Sequence, residues 1–256
     1  MNLTESNYFT LDANREYFSV SQFKSFQACQ AAAMAEITGE WIRPETDALL
    51  MGSYVDAHFS GTGDVFMENH PEIFNSRTGA LKSQYRKAGD AIERAERDPM
   101  FMEYMNGETQ RIMTGELFGQ PWKCKIDVLH KDKIVDMKFM RDMKQVYRDG
   151  EWKTFVQAYG YDLQGYVYQK IVEQVTGKHL PFYLAVITKE EPAAIALIHV
   201  EDKFLNPFEG LLAHYVPEYA RIKAGEVEPE RCEDCAYCRK SKVITEPIEY
   251  ATLFEE

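Results

Sequence analysis

From Ser19 onward the apolar positions Phe23, Phe26, Ala31, Met34 and Ile37 recur at helical spacing until Gly39, and Ser19 with Gln22 has capping-box spacing. This predicts a single first helix with Cys29 inside it. After Trp41-Ile-Arg-Pro44, Leu49, Leu50, Tyr54 and Phe59 predict a second helix over about Thr46–Ser60. Gly52 falls in its middle, where glycine costs about 1 kcal/mol relative to alanine, so another backbone is expected to pass close by. Residues 61–79 read as a loop, and Leu81 to Glu96 as a charged amphipathic helix stopped by Asp98-Pro99. From Gly115 the period changes to two, predicting strands at Glu116–Phe118, Lys123–Leu129 and Ile134–Met140. A long helix from about Thr154 to Val175 ends near Gly177. Strands Phe182–Ile187 and Ala193–Val200 follow, separated by a turn ending at Pro192, and a last helix over about Pro207–Ala224 leads into the tail.

The candidate chemistry lies in Lys123-Cys-Lys-Ile-Asp127-Val-Leu-His-Lys-Asp-Lys-Ile-Val-Asp136-Met-Lys138. A symmetric turn at His130–Lys133 would set Asp127 directly opposite Asp136. Facing residues have β-carbons about 4.5–5.5 Å apart, and like charges placed there are destabilising. A divalent cation gives such a pair a purpose, because Mg²⁺ takes oxygen ligands and is held by one or two carboxylates together with substrate phosphate. Period two then puts Lys138 on the face of Asp136, while Val135, Met137 and Phe139 point to the other side. An ammonium there could orient or deprotonate an attacking water, or stabilise charge on a phosphate. Spacing alone fits a solvated hairpin with scattered charges equally well.

Taken in order, Ile126-Asp127 and Ile134-Val-Asp136-Met-Lys138 resemble the motif of the PD-(D/E)xK nuclease superfamily, an acid followed by acid-x-lysine on successive strands. The chain is similar to the RecB/RecE-like branch, phage-type exonucleases above all. The resemblance implies an α/β, restriction-endonuclease-like core, a mixed central sheet flanked by helices, with Asp127, Asp136 and Lys138 catalytic. It adds a downstream Gln-x3-Tyr element, here Gln164 and Tyr168, one turn apart on one helical face. The upstream Gly-x3-His element departs from the pattern, since Gly52-Ser-Tyr-Val-Asp56 carries an acid where the branch has its metal-binding histidine. Asp56 is therefore the expected ligand, and His58, two positions on, a bystander. The implied metal set is Asp56, Asp127, Asp136 and Met137, with Mg²⁺ or Mn²⁺ as the ion. Glu116 could add an acid to the cleft, although a solvated strand-end glutamate is the simpler reading. The implied activity is degradation of linear duplex DNA in recombination or repair, with a single-strand annealing protein as partner. An endonuclease of the same superfamily is the alternative, as is a non-catalytic, zinc-stapled module that binds DNA or protein.

Composition adjusts this reading in three ways. With 256 residues, 45% of them hydrophobic, the chain can form one elaborated domain with a cysteine-containing tail from about residue 226 to 256. A net charge of −12 argues against a protein that coats nucleic acid non-specifically, so a DNA enzyme needs a local basic groove. Lys123, Lys125, Arg141, Lys144 and Arg148 are its candidates. No apolar run approaches the roughly 20 residues needed to cross a bilayer, and the opening lacks a signal-like segment, so a cytoplasmic protein is expected. Cys232, Cys235 and Cys238 supply three thiols at x2 spacing, and Cys29 is the obvious fourth. Some RecB-branch nucleases pin an N-terminal cysteine to three C-terminal ones through an iron–sulfur cluster, but their last spacing is usually wider. An iron–sulfur cluster, zinc and free thiols all stay open, and Cys124 is read as a small apolar core residue.

Overall fold

The computed structural model describes residues 1–44, 46–247 and 249–250. Its centre is a five-stranded mixed sheet in the order β1-β2-β3-β6-β7. β1 (Glu108–Leu117), β2 (Gln120–Leu129) and β3 (Ile134–Met140) form an antiparallel meander. β6 (Phe182–Thr188) joins β3 in parallel, and β7 (Ile195–Val200) closes the edge antiparallel to β6. The crossover from β3 to β6 carries a small hairpin, β4 (Val146–Arg148) with β5 (Glu151–Lys153), which the hydrophobic pattern did not announce. β1 begins well before the expected Glu116. It is the edge strand, and its exposed positions are polar, which masks its alternation.

Helices cover both faces. On one side α2 (Val20–Ala28), α3 (Gln30–Thr38), α9 (Tyr161–Thr176) and α11 (Phe208–Lys223) bury Phe23, Phe26, Leu163 and Tyr219 against Trp122, Ile126, Ile134 and Phe182. On the other, α4 (Asp47–Ser60), α6 (Arg86–Glu96) and α7 (Pro99–Met105) pack Val55, Ala91 and Phe101 onto Val135, Met137 and Ile187. Period two on β3 thus divides it as expected: Ile134 and Met140 go to the first core, Val135 and Met137 to the second.

Several boundaries differ from the sequence reading. The expected first helix is two, and an additional α1 (Leu11–Glu16) precedes them. Cys29 is extended (φ −169°, ψ 113°), ends α2 and caps α3, so it is not inside a helix. The break frees the Ala31 N–H, which donates to the Glu230 carbonyl at 2.9 Å, so the chain's tail satisfies what the helix gives up. The expected long helix after residue 154 is likewise split into α8 (Phe155–Ala158) and α9 at Gly160, whose φ of +63° is left-handed. Lys24 Nζ takes the Tyr159 carbonyl at 2.9 Å. Arg148 takes that of Ala158. The supposed loop 61–79 contains α5 (Gly63–Asn69) and a 3-10 turn, Pro71–Ile73, that buries Ile73. Leu81 to Glu96 is helical as α6 only from Arg86, after a 3-10 turn at Ser83–Tyr85. Pro99 stands at the first turn of α7, where its missing N–H is harmless, and Asp98 caps that helix. Gly52 has nothing within 4 Å of where a Cβ would be, so no backbone approaches it.

In the tail, α10 (Asp202–Leu205) precedes α11, and α12 (Ala236–Ser241) buries Cys238. The last six residues of the expected tail, 251–256, lie outside the described residues, as do 45 and 248. Among the described residues, no helix is long and apolar enough to cross a membrane.

Candidate active site

The β2–β3 hairpin closes as the turn chemistry dictates, with the His130 N–H donating to the Lys133 carbonyl at 2.9 Å. Its pairs Leu129–Ile134 and Val128–Val135 follow the expected register. There the ladder stops. At the next position Asp127 Oδ2 accepts the Met137 N–H at 2.8 Å, so a carboxylate takes a hydrogen bond usually given to a strand carbonyl. The β1–β2 ladder is interrupted at the same level: Thr109 pairs with Val128 and Arg111 with Ile126, while Gln110 between them is left-handed at φ +53°. A non-glycine residue held there is strained, and such strain gathers at functional sites. The sheet is open on both sides of Asp127.

Asp136 is only 1% exposed. Its Oδ1 accepts from Gln164 Nε2 at 2.7 Å. Its Oδ2 is buried, accepts no well-formed hydrogen bond and stands against the Lys138 ammonium as an ion pair. Lys138 Nζ also lies 4.8 Å over the Tyr161 ring. Asp56, on α4, faces the same centre, where Gln110 Nε2 donates to both its oxygens at 3.1 and 3.3 Å. Asp56, Asp127 and Lys125 line one cleft of about 760 Å³ together with Tyr168. Asn14, Ser19 and Ser21 are shared with an adjoining cleft of about 350 Å³ that holds Lys24 and Arg43.

The electrostatics fit a cation. Burial raises the Asp56 pKa against the pull of Lys125. Burial, then repulsion from Asp136, lifts Asp127 well above the carboxylate range. Burial opposes the Lys138 ammonium, yet Asp136 and Asp127 hold its pKa above the ordinary lysine value. Three partly or wholly buried carboxylates converge here, with the buried second oxygen of Asp136 set against the Lys138 ammonium. Such a donor set suits a hard divalent ion with oxygen ligands.

The family model for a PDDEXK-like domain of unknown function (DUF3799) matches residues 19–241, most of the chain. The chain belongs to this PDDEXK-like family. It is also similar to a crystal structure from Eubacterium rectale described as "Putative exonuclease", at 43% identity and a TM-score of 0.94, covering 99% of this chain and 98% of that one. A search of curated proteins finds no match. The fold is therefore that of a PD-(D/E)xK nuclease, and the mixed sheet flanked by helices is its core.

Within this PDDEXK-like chain the structure brings Asp56, Asp127, Asp136, Lys138 and Gln164 together. Tyr168 lines the cleft but bonds the Lys125 carbonyl at 3.1 Å, so it holds β2 rather than the lysine or the acids. Met137 offers only its main chain to the site, because its side chain is packed in the second core. His58 is an exposed helix residue paired with Glu96 at 2.9 Å, and Glu116 is exposed at the far end of β1. Lys123, proposed for the basic groove, is instead buried: its ammonium is held by the Tyr8 carbonyl and by Asn14 Oδ1 at 2.7 Å. Gln110 was missed by the sequence reading. A glutamine on an edge strand has no periodic signature, and only its left-handed backbone marks it.

The four tail-and-helix cysteines do meet. All four sulfurs of Cys29, Cys232, Cys235 and Cys238 lie within 4.8 Å of one another. Cys124, buried in the first core, is not among them.

Proposed function

We propose that this chain is a divalent-metal-dependent deoxyribonuclease that hydrolyses phosphodiester bonds from the ends of linear duplex DNA. The observation that carries the reading is the break in the sheet at Asp127, where half-buried Asp127 and buried Asp136 face one another beside Lys138. Asp127 and Asp136, with Asp56 from α4, would hold Mg²⁺ or Mn²⁺, which supplies Lewis-acid activation of water and phosphate when bound. Gln164 fixes Asp136 from α9, leaving its second oxygen toward Lys138. Lys138, kept as an ammonium by two carboxylates, orients the nucleophile or neutralises charge building on the phosphate. Tyr168 steadies the β2 backbone behind Asp127. Lys125, Lys24 and Arg43 are the cations that line the two clefts and offer phosphate contacts.

Action at duplex ends in recombination or repair, supplying single strands to an annealing partner, rests on the resemblance to phage-type exonucleases, and the likeness to the Eubacterium rectale chain described as "Putative exonuclease" supports exonuclease action alone. Incubation with linear and with covalently closed circular duplex DNA, in Mg²⁺ or in EDTA, tests the reading. Nucleotides released from linear DNA alone, in Mg²⁺ alone, are expected. Cutting of circles would make it an endonuclease, and absence of cleavage with Mg²⁺ or Mn²⁺ would leave a binding module.

A further inference from the structure

We infer that Cys29, Cys232, Cys235 and Cys238 hold one zinc ion in a tetrahedral site, and not an iron–sulfur cluster of the kind some RecB-branch nucleases carry. Sulfur spacing distinguishes the two. Four thiolates at about 2.3 Å from one zinc form a tetrahedron whose edges are about 3.8 Å. Here the Cys29 and Cys238 sulfurs are 3.6 Å apart and those of Cys232 and Cys238 4.0 Å. No pair exceeds 4.8 Å. In a four-iron cluster each cysteine sulfur lies beyond its own iron, at the outer corners of the cube, which spreads the sulfurs to roughly 6 Å. A two-iron cluster brings sulfurs close only in pairs on each iron and separates the pairs. Neither cluster fits inside this set.

The surroundings also suit thiolates on a single ion. The N–H groups of Ala32, Cys235 and Cys238 donate to the sulfurs of Cys29, Cys232 and Cys235 at 3.5, 3.3 and 3.4 Å. Backbone donors of this kind stabilise negative sulfur and fix the ligands in place. All four cysteines are free thiols, so no disulfide competes for them. The site pins the tail to the break between α2 and α3. Glu230 is held there by the Ala31 N–H through its carbonyl and by Gln30 Oε1 through its N–H at 2.8 Å. Metal binding at this point closes a very long loop, and α2 runs from it to Ser19, Ser21 and Lys24 at the clefts.

The test is metal and sulfide analysis of the full chain, expressed with both iron and zinc in the medium and purified without oxygen. One zinc per chain, no acid-labile sulfide and no visible absorbance are expected. Replacing zinc by Co²⁺ should give the intense visible bands of a tetrahedral cobalt thiolate, and Cys232→Ser, at an exposed position, should abolish them. In Asp136→Ala the zinc content should be unchanged, which separates this site from the carboxylate centre. Stoichiometric iron with sulfide, or a chain that carries no metal and gains no cobalt bands, overturns the inference.

Discussion

Asp127 and Asp136 repel one another across the hairpin, and the protein uses main chain and neighbours to hold them there. Gln110 is the least expected of these neighbours, since it spends a strained backbone conformation to place its amide on Asp56. Groups that orient a ligand carboxylate typically account for about 10–100-fold in metal affinity. Gln110→Leu should weaken Mn²⁺ binding by about that factor in calorimetry without unfolding the protein; unchanged affinity would reduce Gln110 to a strand residue. A second residue-scale prediction concerns Lys223, whose ammonium is buried among the Asn14 and Tyr17 carbonyls and Gln22 Oε1. Burial, with Lys123 nearby, pushes its pKa down from 10.5 to about 7. Between those values the unfolded chain binds more protons than the folded one, so stability rises with pH from about 7 toward 10. Urea midpoints at pH 7 and pH 9 should show the rise, and Lys223→Met should reduce it, leaving the part that half-buried Lys24 and buried Lys123, each lowered to about 8, contribute in the same direction. The acid pair and Lys138 were legible in the sequence because strand period places them on one face in the order the family motif requires, and Gln164 because the family resemblance supplies its Gln-x3-Tyr element. Gln110, Tyr161 under Lys138, and the buried lysines were not, because their roles depend on contacts between elements distant in sequence.

At the scale of elements, hydrophobic period found the sheet's inner strands and the principal helices but ran through their breaks. Cys29 and Gly160 interrupt helices whose apolar spacing is nearly continuous, and in each case a distant group takes up the freed hydrogen bond. Gly165 shows what the α9 placement requires. A Cβ there would meet Phe182 Cδ1 at 2.6 Å and Cε1 at 2.9 Å, and Phe182 is fully buried. Gly165→Val should therefore push α9 off β6, costing about 1–3 kcal/mol in urea unfolding, and should lower cleavage because Gln164 moves with the helix. The β4–β5 hairpin, unseen in the sequence, displays Tyr147 and Trp152 at 62% and 67% exposure, ring centroids 5.5 Å apart. It sits against α8, beside the junction that carries Tyr161 to Lys138. Exposed rings at such a place suit base stacking, worth about 1–3 kcal/mol per base. Trp152→Ala should weaken binding of frayed or single-stranded DNA ends within that range by fluorescence anisotropy, with thermal stability unchanged.

Across the whole molecule, a net charge of −12 coexists with a cleft in which cations and carboxylates are interleaved. Much of the acidity is scattered in surface ion pairs, such as Arg43 with Glu36 and Lys153 with Asp149, where it says little about the substrate. The cysteine staple and the carboxylate centre are separate sites, one joining the tail to the break after α2 and the other built on the opened sheet. The central claim is that this opening is a metal-dependent hydrolytic centre. It is tested most directly by comparing wild type and Asp136→Ala on linear duplex DNA in Mg²⁺, with circular dichroism confirming that both are folded. Loss of cleavage by at least about 100-fold in the folded variant is expected, since the substitution removes a carboxylate on which charge stabilisation at the phosphate depends. Wild-type rates in folded Asp136→Ala would contradict the account.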